Sequence, residues 1–217
     1  MTNPDLPRAP DLPSWMQVLR DRYLQTETGQ FILHGNVHDL ILCAGRSWNM
    51  SEFLGTFFEP SDKLVVHYDP GQGVRFDSIE DACRAAGAWV EAQFISEESI
   101  APRGMDNTPA RTIADNLARK LGAERSPEIV LEALEVLLNA RNLPVAAIIH
   151  YAELVAPDGP VSSLSFDDRT ASARLHRWSI SDAIVRGDNV VCMLTSTMAD
   201  LSRRLTRNPR VGALLVP

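Results

Sequence analysis

The sequence predicts a three-layer α/β domain, a mostly parallel sheet of five strands covered by helices on both faces. Three observations predict it. Apolar runs of strand length alternate along the chain with helical stretches that carry their own start and stop signals. The runs opening at Val145, Asn189 and Val211 are apolar almost throughout, as strands buried on both faces must be. Polar groups follow the strands, at His34-Gly35-Asn36, Tyr68-Asp69, His150-Tyr151-Glu153 and Thr195-Ser196-Thr197. Parallel sheets place ligands beyond these carboxyl ends.

Composition narrows the class. With 45% hydrophobic and 23% charged residues in 217, the chain reads as a globular domain of ordinary balance. A net charge of −7 argues against a general nucleic-acid binder, whose affinity comes from neutralising phosphates. Cys43, Cys83 and Cys192 have no CxxC spacing and are expected as buried free thiols. No apolar run approaches the ~18–20 residues of a membrane span, so no membrane partner is expected. Residues 1–13 are proline-rich and lack the apolar core of a signal peptide, which predicts a flexible tail and a cytoplasmic protein.

Taken in order, Ser14 caps a first helix to Gln25 with Trp15, Val18, Leu19 and Tyr23 at helical spacing, and Gly29 ends it. Phe31–Asn36 is a short buried strand running into a turn. A loosely organised segment follows to about Asn49. Ser51 caps a short helix carrying Phe53, Leu54, Phe57 and Phe58, stopped by Pro60. Lys63–Asp69 is the second strand, and Pro70-Gly71-Gln72-Gly73 a turn after which Val74–Phe76 briefly resumes extended structure. Ser78 caps a helix from Ile79 to Glu97 with Glu80 and Asp81 in its first turn, and Ile79, Ala82, Cys83, Ala86, Val90 and Phe94 on its apolar face. A loop over 99–109 leads to a helix from Thr108 to Leu121. Ser126-Pro127-Glu128 then opens a helix to Arg141. After the Val145 strand and its loop, one long helix runs from Phe166 to Arg186. A fourth strand covers 188–197, a short basic helix Asp200–Asn208, and a fifth strand Val211–Val216. Residues 14–217 are expected to form a single domain. Its stop at the fifth strand suggests a fragment of a longer protein.

The strand-end residues sharpen this picture. The segment from Asn189 to Val211 is similar to the second region of homology of AAA+ ATPases. In that family a strand ends in a polar sensor and arginines precede the fifth strand. The resemblance covers about 24–217 and rests mainly on the order and spacing of five strands. It implies a P-loop NTPase core with Thr195 and Ser196 at the sensor position and Arg207 and Arg210 at the arginine-finger positions. It also sets A-A-I-I-H-Y-A-E against the family's Walker B strand. His150 and Tyr151 then stand where Asp and Glu belong, and Glu153 matches an acid found two residues later.

The departures from that family decide the expected function. A phosphate loop needs G-x-x-x-x-G-K-[ST], whose backbone N–H groups and Lys hold the phosphates and whose hydroxyl holds Mg²⁺. After the first strand this chain has G-N-V-H-D-L-I-L-C-A-G-R-S. Gly45-Arg46-Ser47 echoes the motif, but ten residues after Gly35 is too far for it. The leading expectation is a catalytically degenerate AAA+-like module acting in assembly, regulation or partner binding within a larger ATPase. Its partners would be proteins, or further copies of itself, through an AAA+-like interface.

Two alternatives stay open. One is a domain that binds ATP or ADP without hydrolysis, using Gly35, Asn36, Gly45, Arg46 and Ser47. The other is an unrelated α/β enzyme with strand-end Asp69, His150 and Tyr151. No catalytic residue, no metal site and no obligatory cofactor are expected; His34 and His38, four apart, need not share a face. Arg203, Arg204, Arg207 and Arg210 form either a solvated helix face or a finger offered to a neighbour.

Overall fold

The computed structural model describes residues 12–92 and 122–217. The expected helix over 108–121, the end of the expected 79–97 helix and most of the expected N-terminal tail lie outside these residues. The described elements run α1 (Ser14–Leu24), β1 (Gln30–Gly35), β2 (Ile41–Cys43), β3 (Arg46–Trp48), α2 (Met50–Phe58), β4 (Leu64–Asp69), β5 (Gly73–Phe76) and α3 (Ile79–Glu91). Then come α4 (Pro127–Asn139), β6 (Val145–Ile149), α5 (Ala152–Val155), α6 (Phe166–Ile180), α7 (Asp182–Arg186), β7 (Val190–Thr195), α8 (Arg203–Thr206) and β8 (Gly212–Val216).

The main sheet has six strands, not five, in the order β5-β4-β6-β7-β1-β8. Five are parallel; β5 is antiparallel to β4 and closes one edge, with His67 opposite Arg75 and Asp69 opposite Gly73. The turn at 70–73 therefore makes a hairpin that lengthens the sheet.

Strand side chains alternate between the two faces, and the core splits accordingly. Leu64, Val66, Tyr68, Ala147, Ile149, Val191 and Met193 pack beneath α3, α4 and α6. Phe31, Leu33, Val65, Ala146, Ile148, Cys192 and Leu194 pack beneath α1 and α2. Both faces of the central strands are thus dry, which is why their sequences show no polar alternation.

Several local expectations change. The segment between β1 and α2 is a hairpin, β2 paired with β3, and not loosely organised. Its two-residue loop, Ala44 (φ 52°) and Gly45 (φ 74°), has positive φ at both positions. That matches the right-handed twist of the flanking strands. Asn49, not Ser51, caps α2: its side chain accepts from the N–H of Glu52 at 2.8 Å. Pro13 precedes α1, so Ser14 lies inside the helix and no side chain caps it. In α3 the buried face is Ala82, Ala85, Ala86 and Trp89, and Ile79 is half exposed. Trp89 sets this rotation, because its indole Nε1 donates to the Ala133 carbonyl of α4 at 2.8 Å. The expected 166–186 helix is broken at Ser181, whose extended backbone starts α7 anew. The expected 200–208 helix is reduced to a 3₁₀ turn at Met198–Asp200 and the single turn α8.

The amino-terminal edge of the sheet is closed by an ion pair between a buried lysine and a largely exposed aspartate. Lys63 Nζ, 2% exposed, lies 2.9 Å from Asp188 Oδ1 and donates to the Asp188 carbonyl and to Tyr23 Oη at 2.9 Å. The Tyr23 hydroxyl donates in turn to Asp188 Oδ1. The network joins the end of α1 to the starts of β4 and β7. Burial pushes the Tyr23 phenol well up, reinforced by its bond to Asp188. Burial alone would raise the Asp188 carboxyl, but the bonds from Tyr23 and Lys63 and the Lys63 charge outweigh it and hold it low.

Candidate functional site at the carboxyl edge of the sheet

Three chain segments meet at the carboxyl ends of β4 and β6. His67, on the α2-facing side of β4, lies beside His150, the residue after β6, because the parallel register sets Tyr68 opposite Ile149. Their rings are stacked with centroids 5.5 Å apart, and His67 Nδ1 is 3.2 Å from His150 Nε2. Ser51, in the first turn of α2, brings its Oγ to 3.3 Å from the same His150 nitrogen. On the other side, His67 Nε2 lies 3.0 Å from Asp77 Oδ1, an oxygen also held by Arg75 at 3.2 Å. The His67–Asp77 contact is electrostatic: the distance is short, but the ring N–H is not aligned on the oxygen.

Charge assigns the protons in this chain. With Asp77 facing His67 Nε2, the tautomer that places the ring proton there presents the lone pair of Nδ1 to His150. His150 Nε2 therefore carries the proton and donates. Ser51, facing the same N–H, is then an acceptor, and His150 does not activate it as a nucleophile. Burial, followed by the charge of His67, lowers the His150 pKa to about 4 against the pull of Asp69. His67 is 2% exposed and buried deeper than His150.

Asp69 does not pair with His150. Its Oδ1 accepts from the N–H groups of Gly71 and Gln72 at 2.7 and 3.2 Å and shapes the β4–β5 turn. Next to His150, Tyr151 has a left-handed backbone (φ 49°), and its ring stacks on His38 at 4.9 Å. A strained non-glycine residue at a strand end is a feature that functional edges retain. Glu153 lies in the short α5, one residue after its start; its Oε2 is buried without a hydrogen bond.

The phosphate-loop candidates are dispersed. Gly35 (φ 98°) ends β1 so tightly against β8 that an added Cβ would lie 2.6 Å from the Val216 carbonyl oxygen. Asn36 follows with its N–H bound to that carbonyl at 3.1 Å. Gly45 sits at the hairpin tip with open space around it. Arg46 and Ser47 lie on β3, where the Arg46 guanidinium covers the Trp48 ring at 4.0 Å and pairs with Glu52. The five residues do not form one cradle. Two N–H groups of the first turn of α2 are already satisfied by Asn49, Glu52 by its side chain and Phe53 by its carbonyl.

Thr195 is fully buried, and its Oγ1 bonds within its own turn, donating to the Thr197 carbonyl at 3.1 Å. Ser196 is exposed. Arg207 and Arg210 are exposed at the opposite edge of the sheet. Arg210 just precedes β8, and its carbonyl accepts from Thr28 ahead of β1. Five residues of strand, about 16 Å, separate that edge from His150.

A cleft of about 690 Å³ opens beside α2, lined by Ser51, Gly55, Thr56, Arg75, Asp77 and Asp81 among others. It lies on the flank of the sheet and not at the strand-end crevice of Asp69, His150 and Tyr151. Among the described residues no group of three His, Cys, Asp or Glu side chains is arranged to hold a metal ion, and no helix is long and apolar enough to cross a membrane. The site residues that sequence reasoning missed are Ser51, His67 and Asp77. A polar His67 inside the apolar run of β4 was the available signal.

The sequence matches the family described as AAA+ chaperone, N-terminal Rossmann-like domain over residues 4–217. No curated protein matches it. Among solved structures, a chain of the E. coli MS115-1 HORMA:CdnC:Trip13 complex aligns with a TM-score of 0.42 at 13% identity, over 92% of this chain and 52% of that one. This chain spans about half the length of that chain.

Proposed function

We propose, on the premise that this chain belongs to the AAA+ chaperone N-terminal Rossmann-like domain family, that it is a catalytically degenerate module acting in assembly, regulation or partner binding within a larger ATPase. The β1–α2 connection carries the proposal. Where a glycine-rich loop would wrap phosphates, this chain builds the β2–β3 hairpin, and Asn49 satisfies part of the first turn of α2. Phosphoryl transfer depends on positioned cations and metal-holding acids. At the end of β6 this chain offers His150 and Tyr151 instead.

Apolar exposure at the same edge supports a protein partner. Leu40 and Leu42 beside and on the hairpin are 69% and 74% exposed, and Leu154 on α5 is 62% exposed. The His38–Tyr151 stack joins the two segments that carry them. Arg207 and Arg210 are exposed, and any finger role would be exercised on a neighbouring subunit.

ATP turnover by the purified chain tests the reading. We expect none above background, for this chain and for its Arg46→Ala variant alike. Turnover at the rate of an ordinary ATPase would overturn it.

A further inference from the structure

We propose that His150, held between His67 on β4 and Ser51 on α2, is an acid-operated latch that holds the first turn of α2 to the sheet. The His67–His150 contact is one hydrogen bond between two ring nitrogens 3.2 Å apart, and Ser51 leans on the same His150 nitrogen at 3.3 Å. Such a bond needs one lone pair between the facing atoms. Neutral rings supply it. A single added proton leaves one ring neutral, and the lone pair of that ring keeps the bond in place. With both rings as imidazolium cations, two N–H groups face each other and no lone pair remains. The bond is then lost, and repulsion between the two cations drives His150 from its place, taking its contact with Ser51 with it.

The surroundings set how hard this is. Asp77, beyond β5, faces His67, and Asp69, at the end of β4, favours charge on His150. Burial, Arg75 from β5 and His38 from the segment after β1 oppose charge on His150, whose pKa falls to about 4. From α2 comes the Ser51 hydroxyl, while Glu52 beside it is engaged by Arg46. The latch is therefore shut at neutral pH and opens as pH falls. Opening would free the start of α2 and the hairpin that leads into it, and the inference holds whatever this edge binds.

Four tryptophans make the test local: Trp48 ends the hairpin two residues before α2, while Trp15, Trp89 and Trp178 sit in α1, α3 and α6. The chain labelled with 5-fluorotryptophan is titrated from about pH 7.5 to about pH 4 and followed by ¹⁹F NMR. The latch predicts that the Trp48 resonance moves first, with the local opening constant rising by roughly 10²-fold across the window. It also predicts that His150→Gln abolishes this early step. If that variant does not fold, His67→Gln is read in the same way. Simultaneous change of all four resonances at global unfolding would overturn the proposal. So would an early Trp48 step that survives in the folded variant.

Discussion

At the amino-terminal edge of the sheet, a buried Lys63 has three oxygen contacts on Asp188 and Tyr23. At the carboxyl edge, a buried His67 has another imidazole and an unaligned carboxylate. Both edges tie two strands to a helix on the same face. The first uses a fixed charge whose partners are all in place. The second uses groups that change charge within a few pH units and leaves Glu153 Oε2 and His67 Nε2 without aligned bonds. Full satisfaction rigidifies a buried polar cluster, and partial satisfaction leaves it adjustable. The amino-terminal edge is therefore built as scaffold, and the carboxyl edge keeps groups whose bonding can change.

The two largest expected effects lie one at each edge. Asp188→Asn keeps a residue that tolerates the positive φ of 57° but leaves the Lys63 charge without its carboxylate. Because Lys63 is buried but the Asp188 side chain is largely exposed, it should lower stability by about 2 kcal/mol, read as a lower urea midpoint at unchanged slope. At the carboxyl edge, Gly35→Ala combines φ 98° with a Cβ driven into the Val216 carbonyl, and should cost about 2 kcal/mol in the same experiment.

Acid separates the two edges. The folded His150 titrates near 4, below its ordinary value of 6.5, so the unfolded chain binds more protons between those limits. This contribution is complete above about pH 6.5 and is lost as pH falls toward about 4; for a half-buried ring about 2 kcal/mol is expected. Asp188, whose carboxyl is depressed, keeps its contribution above the ordinary carboxylate value and loses it only at lower pH. Melting temperatures followed down the pH scale should therefore fall in two steps, and His150→Gln should remove the first.

Smaller effects sharpen the contrast. Gly45→Ala, strained at φ 74° but in open space, should cost about 1 kcal/mol, and Gly45→Asn should recover most of it. Arg207→Ala and Arg210→Ala, both exposed, should each stay within about 0.5 kcal/mol in thermal melts.

Much of this fold was legible in the sequence because burial on both faces writes itself as unbroken apolar runs, as in β6 and β7. The Ser78 cap of α3 and the Pro127 start of α4 were legible for the same local reason. The β2–β3 hairpin was not, since strands of three residues show no periodicity, although Ala44-Gly45 between Cys43 and Arg46 was its turn signal. The break at Ser181 hid inside a continuing helical pattern. The site was legible only in part. Strand ends pointed to His150 and Tyr151, but no periodicity gives the register between β4 and β6. The meeting of His67 with His150, and of His150 with Ser51, needed the three-dimensional arrangement.

The most direct test of the account is a thermal-shift titration of this chain with ATP and with ADP, each with and without Mg²⁺. Ligand binding to the native state raises the melting temperature by mass action. A module whose β1–α2 connection is a closed hairpin predicts no shift up to millimolar nucleotide. A saturable, Mg²⁺-dependent shift would contradict it and would mean that this edge still holds phosphates.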